Sequence, residues 1–205
     1  MTPAPHPYTL GRWAIDTIAR WEGYRAQWYR DVVGVWTIGY GHARKPGDEI
    51  RIRAPLGAAA AVDLLRMDAG PCVRAVDELV HVPLEQCQID ALVSWLFNVG
   101  SGALGRSSLL VHLNAGQYDS IPTDLEAWCK VTMNGVRVTN AGLLARRRSE
   151  GSLWRGVSTS PREIPEPVHR VELPDAEILR WGEAFAAEWT RDLPDLGLTE
   201  RPAPF

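Results

Sequence analysis

The chain has 205 residues, is 45% hydrophobic and carries a formal net charge of −3. That length holds one sizeable core, and that composition excludes wholesale disorder. The charge is too weak for a nucleic-acid groove, no stretch reaches the ~18 apolar residues of a membrane span, and three scattered cysteines (Cys72, Cys87, Cys129) without a C-x-x-C pattern exclude a zinc knuckle or a disulfide framework and read as buried free thiols.

No basic segment followed by an apolar run opens the chain, so no secretory leader is expected. Residues 1–8 are Pro-rich and extended. Thr9 is the expected N-cap of a first helix, whose stripe of Trp13, Ala14, Ile18 and Trp21 ends at Gly23. Glu22 falls on its last turn. Gln27 to Gly41 reads as strand, turn and strand, with the turn at Asp31–Gly34 and a β-branched, aromatic, Gly-punctuated run after it. Arg44 to Arg53 is a polar loop. Two helices are expected at Ala58–Met67 and Cys72–Val80, parted by Gly70-Pro71. A strongly apolar helix follows over Leu84–Val99, then a glycine-marked loop, then a helix capped by Ser107 or Ser108 and closed at Asn114–Gly116. Leu125–Thr132 reads as a short helical piece, Asn134-Gly135 as a turn and Ala141–Trp154 as a last helix.

Beyond this the character changes. Residues 157–174 hold four prolines and read as a linker. A helix through Arg191 follows, with one apolar face of Ile178, Trp181, Phe185 and Trp189 that should dock on the body. Residues 1–156 carry 17 Lys and Arg against 15 Asp and Glu, and residues 157–205 carry 5 against 10, so a body of +2 bears a tail of −5. The expected domains are thus 1–156, and 157–205 as an appendage. The expected fold class is α+β, a mainly helical lobe plus a small β-hairpin lobe.

The residues with chemistry lie in Trp21–His42. Cleaving a glycosidic bond needs a proton for the leaving oxygen and an activated nucleophile at the sugar carbon, commonly from two carboxyl groups. Glu22, at the negative end of a helix dipole and beside Trp21 and Tyr24, suits the acid. Asp31, in a turn rich in backbone donors, suits the ionised partner, and Thr37 can orient a water. On these three residues alone, solvated surface side chains are the plainer reading.

The order Glu22, eight residues, Asp31, five residues, Thr37, within WEGYRAQWYRDVVGVWTIGYGH, resembles the signature of the phage-type lysozyme family, glycoside hydrolase family 24. Further blocks follow in the family's order: Leu64–Asp68, Gln88–Leu104, Ser108–Gly116 and Trp128–Trp154. The resemblance covers about residues 10–155. It implies a lysozyme-like fold with the active-site cleft between its lobes, and an endolysin (muramidase) that cuts the β-1,4 bond between N-acetylmuramic acid and N-acetylglucosamine in peptidoglycan for host cell lysis. It implies no cofactor and no metal. Glu22 is then the catalytic acid, Asp31 the carboxylate that activates water (a position where related members often have Cys) and Thr37 the residue that positions it. Inversion follows if the carboxylates stand about 6.5–9.5 Å apart. Phe97, Asn98 and Ser107 match substrate-binding positions, although Phe97 also suits core packing and Ser107 an N-cap. His42 corresponds to a histidine paired with an acid, here Asp68. The block at Arg146–Glu150 ties the last helix to the first. By family analogy the protein is a monomer, does not insert into membranes, waits in the host cytoplasm for release through a holin pore, and acts on the wall in the periplasm. The competing readings are a lytic transglycosylase or chitinase on a related fold, and a non-catalytic wall-binding protein.

Overall fold

The computed structural model describes residues 8–31, 34–133 and 135–157. The linker and apolar helix expected beyond residue 157 lie outside them. The chain divides into two compact units, one built from the segments up to Glu22 and from Arg66 onward, the other from Gly23–Leu65.

In the second unit, strands β1 (Arg25–Arg30), β2 (Trp36–Gly39) and β3 (His42–Ala43) form an antiparallel sheet in that order. Tyr29 faces Thr37 and Thr37 faces Ala43, with an irregularity in β1 between Arg25 and Tyr29. Ile38, Leu56 and Ala61 form its core, with Trp28, Tyr40, Ile52 and Leu64 packed around them. Gly39 has φ +67°, and a Cβ there would lie 3.3 Å from Leu56 Cδ2, so the tight strand end requires glycine on both counts. The loop expected at Arg44–Arg53 contains a one-turn helix, α2 (Asp48–Arg51).

Asp48 is nearly buried, receives a hydrogen bond from the Lys45 N–H, and lies 3.0 Å from His42 Nε2. The partner the structure supplies for His42 is therefore an acid six residues along, which sequence reasoning took for an ordinary loop residue. Burial alone would raise the Asp48 pKa, but the Lys45 N–H and His42 outweigh it and hold the carboxyl below its ordinary value. A depressed folded-state pKa contributes stability that is complete above the unfolded value near 4 and is lost as pH falls through the folded one. Asp48→Asn should therefore flatten the acid limb of stability below about pH 4. Urea midpoints that fall in parallel for both proteins would overturn this.

Helix α3 (Ala58–Leu79) runs unbroken through Pro71, where two helices were expected. A proline inside a helix removes one i→i−4 bond. The buried stripe of Ala61, Leu65, Ala69, Cys72 and Val76, spaced at four, four, three and four residues, continues across the proline and keeps the helix whole. Cys72 lies in that stripe, and burial pushes its thiol up to about 12.

In the first unit, α4 (Gln86–Val99) is central. It packs against α1 (Arg12–Glu22) and against α7 (Ala141–Trp154). Glu85 and Gln88 close a capping box at its start, and Ile89 to Leu96 is buried without a break. The glycine-marked segment after it is a 3-10 helix, Ser101–Arg106. Then come α5 (Ser108–Asn114), a 3-10 turn Tyr118–Ser120, and α6 (Ile121–Glu126). The helical piece expected over Leu125–Thr132 ends early. Lys130–Met133 is strand β4, paired antiparallel with β5 (Val136–Thr139). Val131, Thr132 and Val136–Thr139 supply the β-branched residues that favour this hairpin over a helix.

Helix α1 begins at Arg12 rather than at Thr9, because its first amides are satisfied from another helix. Asp90 of α4, fully buried, accepts from Gly11 N at 2.9 Å and from the Trp13 and Ala14 amides. Burial nevertheless holds its pKa above the ordinary carboxylate value, the hydrogen bonds offsetting this only in part. A Cβ on Gly11 would lie 2.3 Å from Asp90 Oδ2. Gly11→Ala should thus cost about 1–3 kcal/mol, read as a lower thermal midpoint. An unchanged midpoint would show that the carboxylate can move aside.

Candidate active site

The candidate residues fall into two groups, one in each unit. In the second unit, Asp31 and Thr37 grip the same residue from opposite sides. Asp31 Oδ1 accepts from Val35 N at 2.8 Å, and Thr37 Oγ1 donates to Val35 O at 3.2 Å. The turn is closed by backbone bonds from Asp31 N to Val35 O and from Gly34 N to Asp31 O. Asp31 follows β1 directly, and Thr37 is the second residue of β2, so a short turn fixes their offset. Thr37 is only 4% exposed. Its hydroxyl proton is committed to Val35, which leaves the oxygen lone pairs as acceptors. Beside them Tyr24 donates its hydroxyl to Leu56 O and lies tilted against Tyr40 at 5.6 Å.

In the first unit, Glu22 is the last residue of α1, which Gly23 terminates in a left-handed conformation. Glu22 is not loosely solvated. Arg146 Nη1 donates to its Oε1 at 2.8 Å, and the side chains are 6% and 16% exposed. Arg146 is held in turn. Its Nε lies 3.4 Å from Glu150 Oε1 and its Nη2 donates to Ser94 O at 3.4 Å. Glu150, fully buried, also accepts from Ser94 Oγ at 2.9 Å and pairs with Arg147, whose Nε stands 3.0 Å from Oε2. Arg147 Nη2 then donates to Asn98 Oδ1 at 2.8 Å. Burial pushes the Arg147 guanidinium down to about 10, against the opposing pull of Glu150. Two consecutive arginines of α7 thus link Glu22 to Asn98.

The arginine run at 146–148 was expected to be a solvated face apart from its ties to Glu150 and the first helix. Only Arg148 fits that description, with a side chain 64% exposed and 3.5 Å from Glu126. Arg146 and Arg147 are buried. The signal for this was present in α4, where Asp90 and Ser94 interrupt an otherwise apolar run one helical turn apart. Each reaches a partner on another helix: Asp90 the start of α1, Ser94 the Glu150 carboxylate.

Phe97 and Asn98 sit half-buried near the end of α4. Ser107 is 7% exposed. Its hydroxyl donates to Leu104 O at 2.8 Å and accepts from Leu110 N, so it serves as the N-cap of α5. That occupies its donor, and any sugar contact would have to use a remaining lone pair.

A family model described as phage lysozyme matches residues 19–150. An endolysin of Acyrthosiphon pisum secondary endosymbiont phage 1 is 35% identical over 137 residues, which cover 67% of this chain and 91% of that protein. Among solved structures, the muramidase domain of SpmX from Asticaccaulis excentricus is 38% identical with a TM-score of 0.64, over 72% of this chain and 97% of that one. An endolysin from Escherichia coli O157:H7 phage FAHEc1 is 35% identical with a TM-score of 0.64, over 71% of this chain and 92% of that one. The helical body with small antiparallel sheets agrees with these neighbours, and the matched span takes in both groups of residues described above. The chain belongs to the phage lysozyme family and is a glycoside hydrolase of the lysozyme type.

Proposed function

We propose that the chain is an endolysin that hydrolyses the β-1,4 bond between N-acetylmuramic acid and N-acetylglucosamine in peptidoglycan, with Glu22 as general acid and Asp31 and Thr37 as the groups that prepare the attacking water. The observation that carries this is the fixed pose of Glu22, held at a helix terminus by the buried guanidinium of Arg146. A proton donor must stay within hydrogen-bond reach of the leaving oxygen, and a pinned carboxyl avoids the entropy of finding that position. Asp31 and Thr37 supply complementary chemistry. The carboxylate takes a proton from water while the threonine oxygen accepts its other hydrogen, both steadied by Val35. Asn98 would present its amide NH2 to the sugar, since Arg147 occupies its carbonyl oxygen. Phe97 and Ser107 would border the same substrate.

Water attacking opposite the leaving group inverts the β-linkage and yields an α-anomer first. Proton NMR of the initial product, with mass spectrometry of the released muropeptides, tests this. An initial β-anomer would remove Asp31 from its role as base, and 1,6-anhydro ends would mean transglycosylation instead of hydrolysis.

The same reading has the protein act as a monomer on the cell wall after release from the host cytoplasm through a holin-type pore. Among the described residues no helix is long and apolar enough to cross a membrane. Expression that lyses cells without any pore-forming partner would refute the holin requirement.

A further inference from the structure

The hairpin β4–β5 has no part in the chemistry above, yet its sequence is sharply two-sided. The ladder pairs Lys130 with Thr139, Val131 with Val138, Thr132 with Arg137 and Met133 with Val136. Directly paired residues share a face, and faces alternate along each strand. Val131, Met133, Val136 and Val138 therefore form one wholly apolar face, while Lys130, Thr132, Arg137 and Thr139 form the other. The strands pack chiefly on each other, and toward the tip Met133 is 43% and Val136 61% exposed. The charges on the two strands, Lys130 and Arg137, are both cationic and both exposed.

The hairpin is also tied to the acid's supports. Asn140 N donates to Cys129 O at 2.8 Å, closing the neck, and the Asn140 side chain then caps α7 by accepting from Leu143 N. Arg146, which holds Glu22, stands six residues later, about 9 Å along that helix. On the other side of the neck, Trp128 packs edge-on against Trp95 of α4 at 5.2 Å.

The geometry points to the apolar face of β4–β5 as a wall for the peptidoglycan strand where it continues beyond the cleaved bond. This rests on the muramidase reading and deepens it. An exposed, two-sided hairpin tip calls for a partner, and the polymer fits on two counts. Its acetamido and lactyl methyl groups match the valine and methionine face, and the carboxylates of its peptide stems complement Lys130 and Arg137. The polymer must also run on past Glu22, and the hairpin stands at the head of the helix that positions Glu22. A lipid surface would use the same cations and apolar tip, but it gives no reason for anchoring the hairpin to α7.

The test uses the full chain with Met133→Ser plus Val136→Ser and, separately, Lys130→Gln plus Arg137→Gln. Both pairs are exposed, and matched thermal midpoints check that the variants fold. The half-saturating concentration of purified sacculi should rise about tenfold at unchanged kcat, while cleavage of a peptide-free tetrasaccharide, too short to reach the hairpin, stays the same. Unchanged values on both substrates, or equal losses on both, overturn the proposal. So does binding of the unmodified chain to phosphatidylglycerol vesicles that the variants lose while keeping their affinity for sacculi. Repeating the substitutions in the Glu22→Gln background, read by cosedimentation with sacculi, separates the two readings. Weaker binding there supports the wall even if the assignment of Glu22 fails.

Discussion

Glu22→Gln is expected to lower lysis of outer-membrane-permeabilised cells by at least about 10²-fold, toward the upper end of what general acid catalysis contributes. The substitution is close to isosteric, and the amide oxygen can still accept from Arg146 Nη1. What it removes is the transferable proton. The expected cost in stability is about 1–2 kcal/mol, because the Arg146 guanidinium keeps Glu150 and the Ser94 carbonyl as partners. A steep fall in activity on a folded protein therefore isolates the chemistry. Turbidity curves that overlay for the two proteins would place catalysis at another residue.

The largest effect on stability should come from Glu150→Ala. This carboxylate is fully buried and neutralises two buried arginines, with Ser94 Oγ as a further donor. Removing it leaves Arg146 and Arg147 as neighbouring cations in a low-dielectric interior, a situation that typically costs about 3–5 kcal/mol. For a chain of this size that corresponds to a fall in thermal midpoint on the order of 10 °C. Activity should fall as well, since Arg146 would no longer be braced against Glu22. Arg148→Ala, one residue past the buried pair, is the matched control, and its exposed contact with Glu126 should change stability by less than about 0.5 kcal/mol. Equal midpoints for the two variants would mean that the buried network is not what holds α7 in place.

These two predictions draw on different sources. Glu22, Asp31 and Thr37 were legible from sequence because their spacing is set locally, by a helix stop at Gly23 and a turn at Asp31–Gly34. Helix α7 and the Ser107 cap were legible for the same reason, since caps and apolar periodicity act within a few residues. What sequence reasoning misplaced depends on contacts distant in the chain. Pro71 suggested a break because propensity is local, whereas the stripe that overrides it is satisfied by packing. The arginines of α7 suggested a wet face because Glu150 and Ser94 become their partners only after α4 and α7 meet. Lys130–Thr139 was misassigned because β-branched residues in a ten-residue stretch give a weak signal until a turn pairs them. His42 was linked to a distant acid, while Asp48 was passed over because a one-turn helix leaves almost no trace in sequence.

Helix α1 acts as a strut seated at both ends. Asp90 holds its first amides and Arg146 holds its last side chain, while Arg12 and Asp16 on its outer surface pair only with each other. Its length transmits position, so a shift at Gly11 must reappear at Glu22, about 16 Å away, as a misplaced proton donor. The outer face of the helix is then open to sequence drift or to stabilising engineering without loss of rate. Its two seats are not, although neither Gly11 nor Asp90 is among the residues assigned to the chemistry.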